Sequence, residues 1–167
     1  MKKRLTMTRT EFNDAIKCTQ KALRRFLLAL CCGDGALADD LAQETYIKAY
    51  LASEGFRNDA SFSTWLHRIA INTFVSYRRT HRQSEDIEKA QSIHDSHAAD
   101  SAFEYQPLYN ALARLTVNER TATTLYYLEG YDIKEIAKMA DTSVDSVKQR
   151  LLRARKHLRI YLNNTKL

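Results

Sequence analysis

The stretch DIKEIAKMADTSVDSVKQRLLRARKHL, residues 132–158, predicts two consecutive helices separated by a tight turn. Its first four residues, Asp132 to Glu135, form a capping box, in which the first side chain and the acid three residues later each accept a backbone N–H. The tripeptide DTS interrupts the first helix, and Ser143 is a favourable N-cap for the second. A short helix, a tight turn and a longer helix make a helix-turn-helix pattern.

The second of these helices has two opposed faces when its residues are placed at about 100° per residue. An apolar arc contains Val147, Leu151, Ala154, Leu158 and Leu162. The opposite arc contains Lys148, Gln149, Leu152, Arg153 and Lys156. We therefore expect one face to pack inward and the other to present long cationic and amide side chains.

These outward side chains suit the major groove of DNA. Arginine and lysine pair with guanine edges, glutamine pairs with adenine, and a leucine can contact the thymine methyl group. Arginines at the margins of the face would lie near phosphates. A solvated basic face with no partner is the alternative, but the capping signals, the turn and the opposed arcs together favour DNA. The expected contact residues are Ser146, Lys148, Gln149, Arg150, Leu152, Arg153 and Arg155.

Charge divides the whole chain of 167 residues into three segments. Residues 1–82 carry a net charge of +6, residues 83–106 carry −5, and residues 107–167 carry +5. The acidic segment is rich in polar and small residues and has little apolar periodicity, which is typical of a flexible linker. The sequence thus predicts two basic domains, residues 8–82 and 107–163, joined by an acidic flexible linker over residues 83–106.

The remaining periodicity predicts an all-α fold. The chain has only 4 glycines and 1 proline, few of the residues that separate short strands. Three- and four-residue apolar spacings predict helices over about residues 12–30, 37–52 and 62–81, with Gly33 and Gly35 as caps after the first. A second apolar stripe at Leu108–Leu115 and the capping box TVNE at Thr116 predict further helices before the helix-turn-helix. We expect two small helical domains.

The composition disfavours several other classes of protein. The three cysteines, Cys18, Cys31 and Cys32, include no CxxC pair, which argues against a disulfide framework or a zinc cluster. No apolar run follows the basic N-terminus, and no segment has the roughly 20 apolar residues that span a bilayer. We expect a cytoplasmic protein that does not insert into membranes.

Enzyme motifs are also missing from the sequence. There is no glycine-rich phosphate loop, no serine nucleophile elbow and no HExxH motif. The 5 histidines are scattered, and His94 and His97 lack a third ligand nearby. We expect no catalytic residue, no metal site, no cofactor and no small-molecule substrate.

Taken together, the motifs resemble those of extracytoplasmic-function sigma factors, the small two-domain class of bacterial promoter-specificity subunits in the sigma-70 family. The resemblance covers about residues 10–160 and depends on four stretches in the family's order. They are DDLAQETYIKAY (39–50), GFRNDASFSTWLHRIAINTFVSYRR (55–79), ALARLTVNERTATTLYYLEGYDIKEIAKMA (111–140) and SVDSVKQRLLRARKHL (143–158).

The resemblance implies a function in transcription initiation in the bacterial cytoplasm, without catalysis. The implied partners are core RNA polymerase, promoter DNA and an anti-sigma factor. The last helix would read the −35 element, and three polar residues of the second helix match positions that bind polymerase: Asp40, Gln43 and Glu44.

The same resemblance implies a pocket that captures one flipped base of the −10 element. The pocket must return stacking and edge hydrogen bonds, because unstacking a base costs about a few kcal/mol. Phe56 would supply an aromatic wall and Asn72 a donor and an acceptor, whereas Trp65 is assigned to the core. The matching positions are Ala52, Phe56, Ile69, Asn72 and Ser76, and phosphates would be neutralised by Lys48, Arg57, Arg78, Arg79 and Arg82.

A dimeric helix-turn-helix regulator that acts on duplex DNA without being a polymerase subunit is the alternative. It accounts for residues 107–162 but gives no role to Asp40, Phe56 or Asn72.

Overall fold

A computed structural model describes residues 7–85 and 102–164, and this part of the chain is α-helical with one short 3-10 helix and no strand. The all-α prediction is therefore confirmed. The helices are α1 (Arg9–Leu30), α2 (Gly35–Ala52), α3 (Phe62–Glu85), α4 (Ala102–Ala113), α5 (Val117–Tyr127), α6 (Ile133–Met139) and α7 (Val144–Asn164). None of these helices is both long enough and apolar enough to cross a membrane.

Local side-chain caps determine where the helices of the second half begin. Both predicted capping boxes are present, at Thr116 before α5 and at Asp132 before α6. The Ser146 amide donates to the Ser143 hydroxyl over 3.1 Å, so Ser143 caps α7 as expected. Because each cap satisfies amides that have no partner inside the helix, these starts follow from local sequence.

The turn between α1 and α2 differs from the prediction at one glycine. Gly33 has a φ of 91°, a left-handed conformation that suits glycine, but Gly35 is the first residue of α2, which Asp34 caps. A Cβ atom on Gly33 would lie 2.7 Å from Cδ2 of Tyr109 in α4. Glycine at this position therefore also permits the close approach of α4.

Helices occupy both ends of the segment that we expected to be a linker. Residues 83–85 continue α3, and residues 102–106 begin α4, in which Pro107 lies in the second turn. Charge composition predicts the bounds of the linker, but the ends of a helix depend on backbone hydrogen bonds. Pro107 removes only one of these hydrogen bonds, so α4 continues through it. Residues 86–101 lie outside the described part of the chain.

The two groups of helices, α1–α3 and α4–α7, share one hydrophobic core. Leu23, Phe26 and Leu66 of the first group are fully buried in the same cluster as Leu125 and Ile136 of the second. The surface along which the two groups meet is called the seam below. Nothing in the sequence pattern predicts this packing.

Arg120 makes a polar contact across the seam and two further hydrogen bonds within its own group. Its guanidinium donates to the carbonyl oxygens of Leu112 (3.0 Å), Leu115 (3.2 Å) and Leu30 (2.7 Å). Leu30 ends α1, where the last carbonyls have no partner inside the helix. One α5 side chain thus completes the end of a helix in the other group.

Replacing Arg120 with alanine is expected to lower the free energy of unfolding by about 2–4 kcal/mol, because buried carbonyls lose a charged donor. Urea denaturation followed by circular dichroism measures the change. Arg114→Ala is the matched control. Arg114 is exposed, and its guanidinium carbon lies 5.4 Å from the ring centre of Tyr161, a contact that contributes about 1 kcal/mol or less. Equal losses in the two variants would show that Arg120 does not hold the seam.

Candidate nucleic-acid interface

Helix α7 packs one face against the other helices of its group. Val147, Leu151 and Ala154 are at most 1% exposed, and Leu158 is half-buried. Leu162, which we expected on the same buried arc, is 47% exposed. The packed face therefore ends near Leu158, and the last turn of the helix lies beyond the core.

The opposite face of α7 is open to solvent. Its exposed side chains are Lys148, Gln149, Leu152, Arg153 and Lys156. Leu152 is 64% exposed and places one apolar side chain among these polar ones. The N-terminal half of the helix also borders a shallow depression of about 330 Å³ lined by Ser143, Asp145, Ser146, Gln149, Arg150 and Arg153.

Several cations around this face have fixed partners. The Arg155 Nε donates to the hydroxyl of Tyr127 over 2.8 Å, and an Arg150 Nη2 lies 3.4 Å from the Thr142 hydroxyl. The Lys148 ammonium is 3.6 Å from the Asp145 carboxylate. These contacts restrict the side-chain rotamers of the cations at the margin of the face. The side chains therefore have less conformational entropy to lose when a ligand binds.

Tyr127 was missed by the sequence reasoning. It is the last residue of α5 and is 56% exposed, yet its hydroxyl orients an arginine of α7. The adjacent Tyr126 and Tyr127 were a visible signal, but contact between α5 and α7 depends on tertiary packing.

A second candidate surface lies where α2 meets α3. The Lys48 ammonium donates to the Thr73 hydroxyl over 3.4 Å, which fixes the turns of the two helices that face each other. Ala52 is one turn further along α2, and the α3 residues Ile69, Asn72 and Ser76 follow one another at helical spacing. Ala52, Asn72 and Ser76 are exposed, and Ile69 is half-buried.

Phe56, the expected aromatic wall, is instead a packing residue in this conformation. It is 7% exposed, and its ring lies 5.8 Å from that of Phe62 and 4.9 Å from that of Trp65, centre to centre. The loop after α2 folds back onto α3, so the ring enters an aromatic cluster. Trp65 is half-buried in this cluster, in agreement with its assignment to the core.

Phe56 also borders a cleft of about 580 Å³ between the two groups of helices. Of the five expected base-pocket residues, it alone lines this cleft. The other walls include Arg57, Trp65, Arg68, Glu135, Lys138 and Met139.

The expected phosphate-binding cations differ in their surroundings. Arg57, Arg78 and Arg79 are exposed. The Lys48 ammonium lies 2.6 Å from the Glu44 carboxylate, and this ion pair weakens the attraction of Lys48 for an external phosphate. The side chain of Arg82 lies outside the described part of the structure.

The expected polymerase-binding residues lie on an exposed strip of α2 together with apolar side chains. Asp40, Gln43 and Glu44 are exposed, and one and two turns further on Ile47 and Leu51 are 61% and 76% exposed. Sequence reasoning missed these two apolar residues. The sequence does contain a signal for them, because α2 has large apolar residues on both of its sides. A helix that buries only one face does not need the second set.

Comparison with protein families identifies both halves of the chain. Residues 15–84 match sigma-70 region 2, and residues 105–158 match sigma-70 region 4. The chain is 34% identical over 131 residues to the ECF RNA polymerase sigma-E factor of Escherichia coli K12, an alignment that covers 70% of this chain and 69% of the relative. The chain belongs to the extracytoplasmic-function group of the sigma-70 family.

Further relatives and solved structures agree with this assignment. The RNA polymerase sigma-H factor of Pseudomonas aeruginosa is 34% identical over 137 residues, covering 73% of this sigma factor and 71% of the relative. The sigma factor RpoE of Bartonella quintana, solved with the anti-sigma factor NepR, has a TM-score of 0.79 at 26% identity and covers 92% of this chain and 98% of its own. CnrH, solved with the cytosolic domain of CnrY, shares the fold with a TM-score of 0.72 at 23% identity, covering 94% of this chain and 90% of its own.

As a sigma factor, the chain is a promoter-specificity subunit of RNA polymerase. The region 2 match contains the α2–α3 surface, and the region 4 match contains the exposed face of α7 through Leu158. Within residues 7–85 and 102–164, no three His, Cys, Asp or Glu side chains are grouped to hold a metal ion.

Proposed function

We propose that this sigma factor directs core RNA polymerase to promoters by inserting α7 into the major groove at the −35 element and capturing a −10 base on the α2–α3 surface. The observation that carries the proposal is the solvent-open cationic and amide face of α7, which directly follows the tight turn after α6. The chain catalyses no reaction of its own and works in the bacterial cytoplasm, where the polymerase is.

The −35 contacts divide into base readers and backbone contacts. Gln149 and Arg153 occupy the centre of the exposed face, and their amide and guanidinium groups pair with adenine and guanine edges. Arg150 and Arg155 are tied to Thr142 and Tyr127 at its margin, a geometry that suits phosphates. The full proposed set is Ser146, Lys148, Gln149, Arg150, Leu152, Arg153 and Arg155.

The −10 contact uses the exposed amide of Asn72 between Ile69 and Ser76, with Ala52 opposite on α2. Phe56 is enclosed in the aromatic cluster with Phe62 and Trp65, so the loop that carries it must move for the ring to stack on a base. Phosphates of the opened strands are neutralised by Lys48, Arg57, Arg78, Arg79 and Arg82.

The two surfaces belong to separate functional units. We assign residues 8–82 to a polymerase-binding and −10-reading domain and residues 107–163 to a −35-reading domain. The acidic linker of residues 83–106 is helical at both ends, which leaves residues 86–101 as its central part.

The exposed strip of α2 and the structural relatives indicate which proteins bind this sigma factor. An acidic and amide patch with adjacent apolar side chains suits a basic, partly apolar surface of the polymerase. The RpoE relative was solved with an anti-sigma factor, which supports an anti-sigma partner for this chain as well.

Reversing the charge of Asp40 tests the polymerase contact. Asp40→Lys is expected to weaken binding to core RNA polymerase about tenfold or more, with a larger loss at low salt, because an attractive charge becomes repulsive. Fluorescence anisotropy with labelled sigma factor measures the affinity. Asp14→Lys makes the same charge change on the exposed surface of α1 and should bind as the unaltered protein does. Equal affinities of all three proteins would remove Asp40 from the interface.

Truncating Asn72 tests the base pocket. Asn72→Ala is expected to slow open-complex formation and to relax the preference at one −10 base, since one edge-reading amide contributes about 1–3 kcal/mol of discrimination. Permanganate reactivity of promoters carrying each of the four bases measures both effects. Gln20→Ala, which removes an exposed amide from α1, is the control. An unaltered base preference in Asn72→Ala would reject the assignment.

Truncating Arg153 tests the −35 contact and with it the function. Promoters selected from a genomic library by the reconstituted holoenzyme provide the template for run-off transcription. Arg153→Ala is expected to lose about 1–3 kcal/mol at a matched −35 element and little at a scrambled one. Arg159→Ala removes a charge that makes no proposed base contact, so it should reduce transcription from both templates by the same factor. Absence of promoter-dependent run-off from the unaltered protein would refute the proposed function, and an unchanged matched-to-scrambled ratio would refute the role of Arg153.

A further inference from the structure

A cluster of charged and titratable side chains joins the two groups of helices at the seam, and of its members Arg25 is 55% exposed. His67 of α3 is 1% exposed, and its ring packs edge-on between Phe26 of α1 at 5.0 Å and Tyr131 of the α5–α6 turn at 5.5 Å, centre to centre. Glu129, from the same turn as Tyr131, has a side chain that is 5% exposed. Arg25 of α1 donates to both Glu129 oxygens, at 3.1 and 3.0 Å.

The hydrogen bonds of His67 indicate where its proton lies. Nδ1 is 2.8 Å from the Ser63 carbonyl oxygen, which can only accept, so Nδ1 carries the proton of the neutral ring. Nε2 is buried, has no hydrogen-bond partner and lies 3.8 Å from an oxygen of Glu129. The hydroxyl of Tyr131 completes the site, 3.2 Å from Nδ1 and 3.1 Å from the Ser63 hydroxyl.

The surroundings of the ring oppose a second proton, chiefly because the ring is buried. Arg25 and Glu129 already neutralise each other, so a proton on Nε2 would leave a net positive charge in a buried site. Burial lowers the pKa of His67 most strongly and Arg25 lowers it further, whereas the Ser63 carbonyl and Glu129 act in the opposite direction without prevailing. The other titratable group against the ring is Tyr131, and Glu135 of α6 is the next charge beyond that hydroxyl.

We propose that His67, Glu129 and Arg25 form a proton-sensitive latch, which holds the two groups of helices together while His67 is neutral and releases them when the ring is protonated. The latch lies at the seam, and its opening does not depend on which residues contact DNA. Other seam contacts, such as that of Arg120 with the Leu30 carbonyl, keep their protonation state at moderately acidic pH. A pH response of the seam that is lost in His67→Phe therefore reports on His67.

The direction of the pH dependence follows from linkage. The pKa of His67 is lower in the closed arrangement than its ordinary value of 6.5, which it regains when the seam opens to water. Protons therefore bind preferentially to the open arrangement. The stabilisation of the closed form is complete above about pH 6.5 and is lost below it, by up to about tenfold in the closing equilibrium per pH unit.

The chain contains its own probe of opening. Its 1 tryptophan, Trp65, lines the cleft opposite Glu135, Lys138 and Met139 of α6. Between pH 8 and 5.5 we expect iodide quenching of Trp65 and the radius of gyration from small-angle X-ray scattering to increase together. Far-ultraviolet circular dichroism should stay constant, because the helices themselves persist. A full chain whose quenching and radius do not change over this range would overturn the proposal.

Two variants separate the latch from other effects of acid. His67→Phe keeps an aromatic ring between Phe26 and Tyr131 but cannot be protonated, so the acid-induced opening should disappear. His81→Gln is the matched control. The Nδ1 of His81 lies 3.0 Å from the carbonyl oxygen of Tyr77, one turn back in α3, and His67 makes the equivalent contact with the Ser63 carbonyl. Unlike His67, however, His81 is exposed. Opening that persists unchanged in His67→Phe would overturn the proposal.

A measurement on the unaltered protein covers the case in which His67→Phe does not fold. Nuclear magnetic resonance of the histidine ring signals should show His67 titrating below about 6.5, the ordinary value. Titration of His67 at or above that value would contradict the latch.

Discussion

The packing of Val147, Leu151 and Ala154 into the second group of helices is the constraint on which the exposed cationic face of α7 depends. Burying a valine or leucine side chain contributes about 1.5–3 kcal/mol, so these residues fix the rotation of α7 about its axis. With the rotation fixed, Lys148, Gln149 and Arg153 must face solvent. A cationic face held in this way needs little further ordering when it meets a groove.

The seam combines apolar burial with polar and ionic contacts. Phe26, Leu125 and Ile136 supply non-directional attraction between the groups, while Arg120, Arg25 and Glu129 determine how the groups are oriented. Desolvation of Glu129, whose side chain is 5% exposed, offsets part of its attraction to Arg25.

Phe56 lies close to the boundary between the two groups of helices. Its ring lies in the aromatic cluster with Phe62 and Trp65, at the edge of the cleft that α6 borders on the other side. Separation of the two groups would remove α6 from this cleft and increase the freedom of the loop around Arg57. The conformation of the loop and the state of the seam are therefore physically connected.

The sequence by itself determined the helical class, the capping boxes at Thr116 and Asp132, the Ser143 cap and the two faces of α7, because each depends on residues within a few positions of one another. The family resemblance added the candidate residues of α2 and α3, of which Asn72 and Ser76 are exposed and Phe56 is buried. Only the tertiary structure decided that Arg25 meets Glu129, that Arg155 meets Tyr127 and that His67 is enclosed. Those contacts join residues far apart in the chain, and no local pattern encodes which helix faces another.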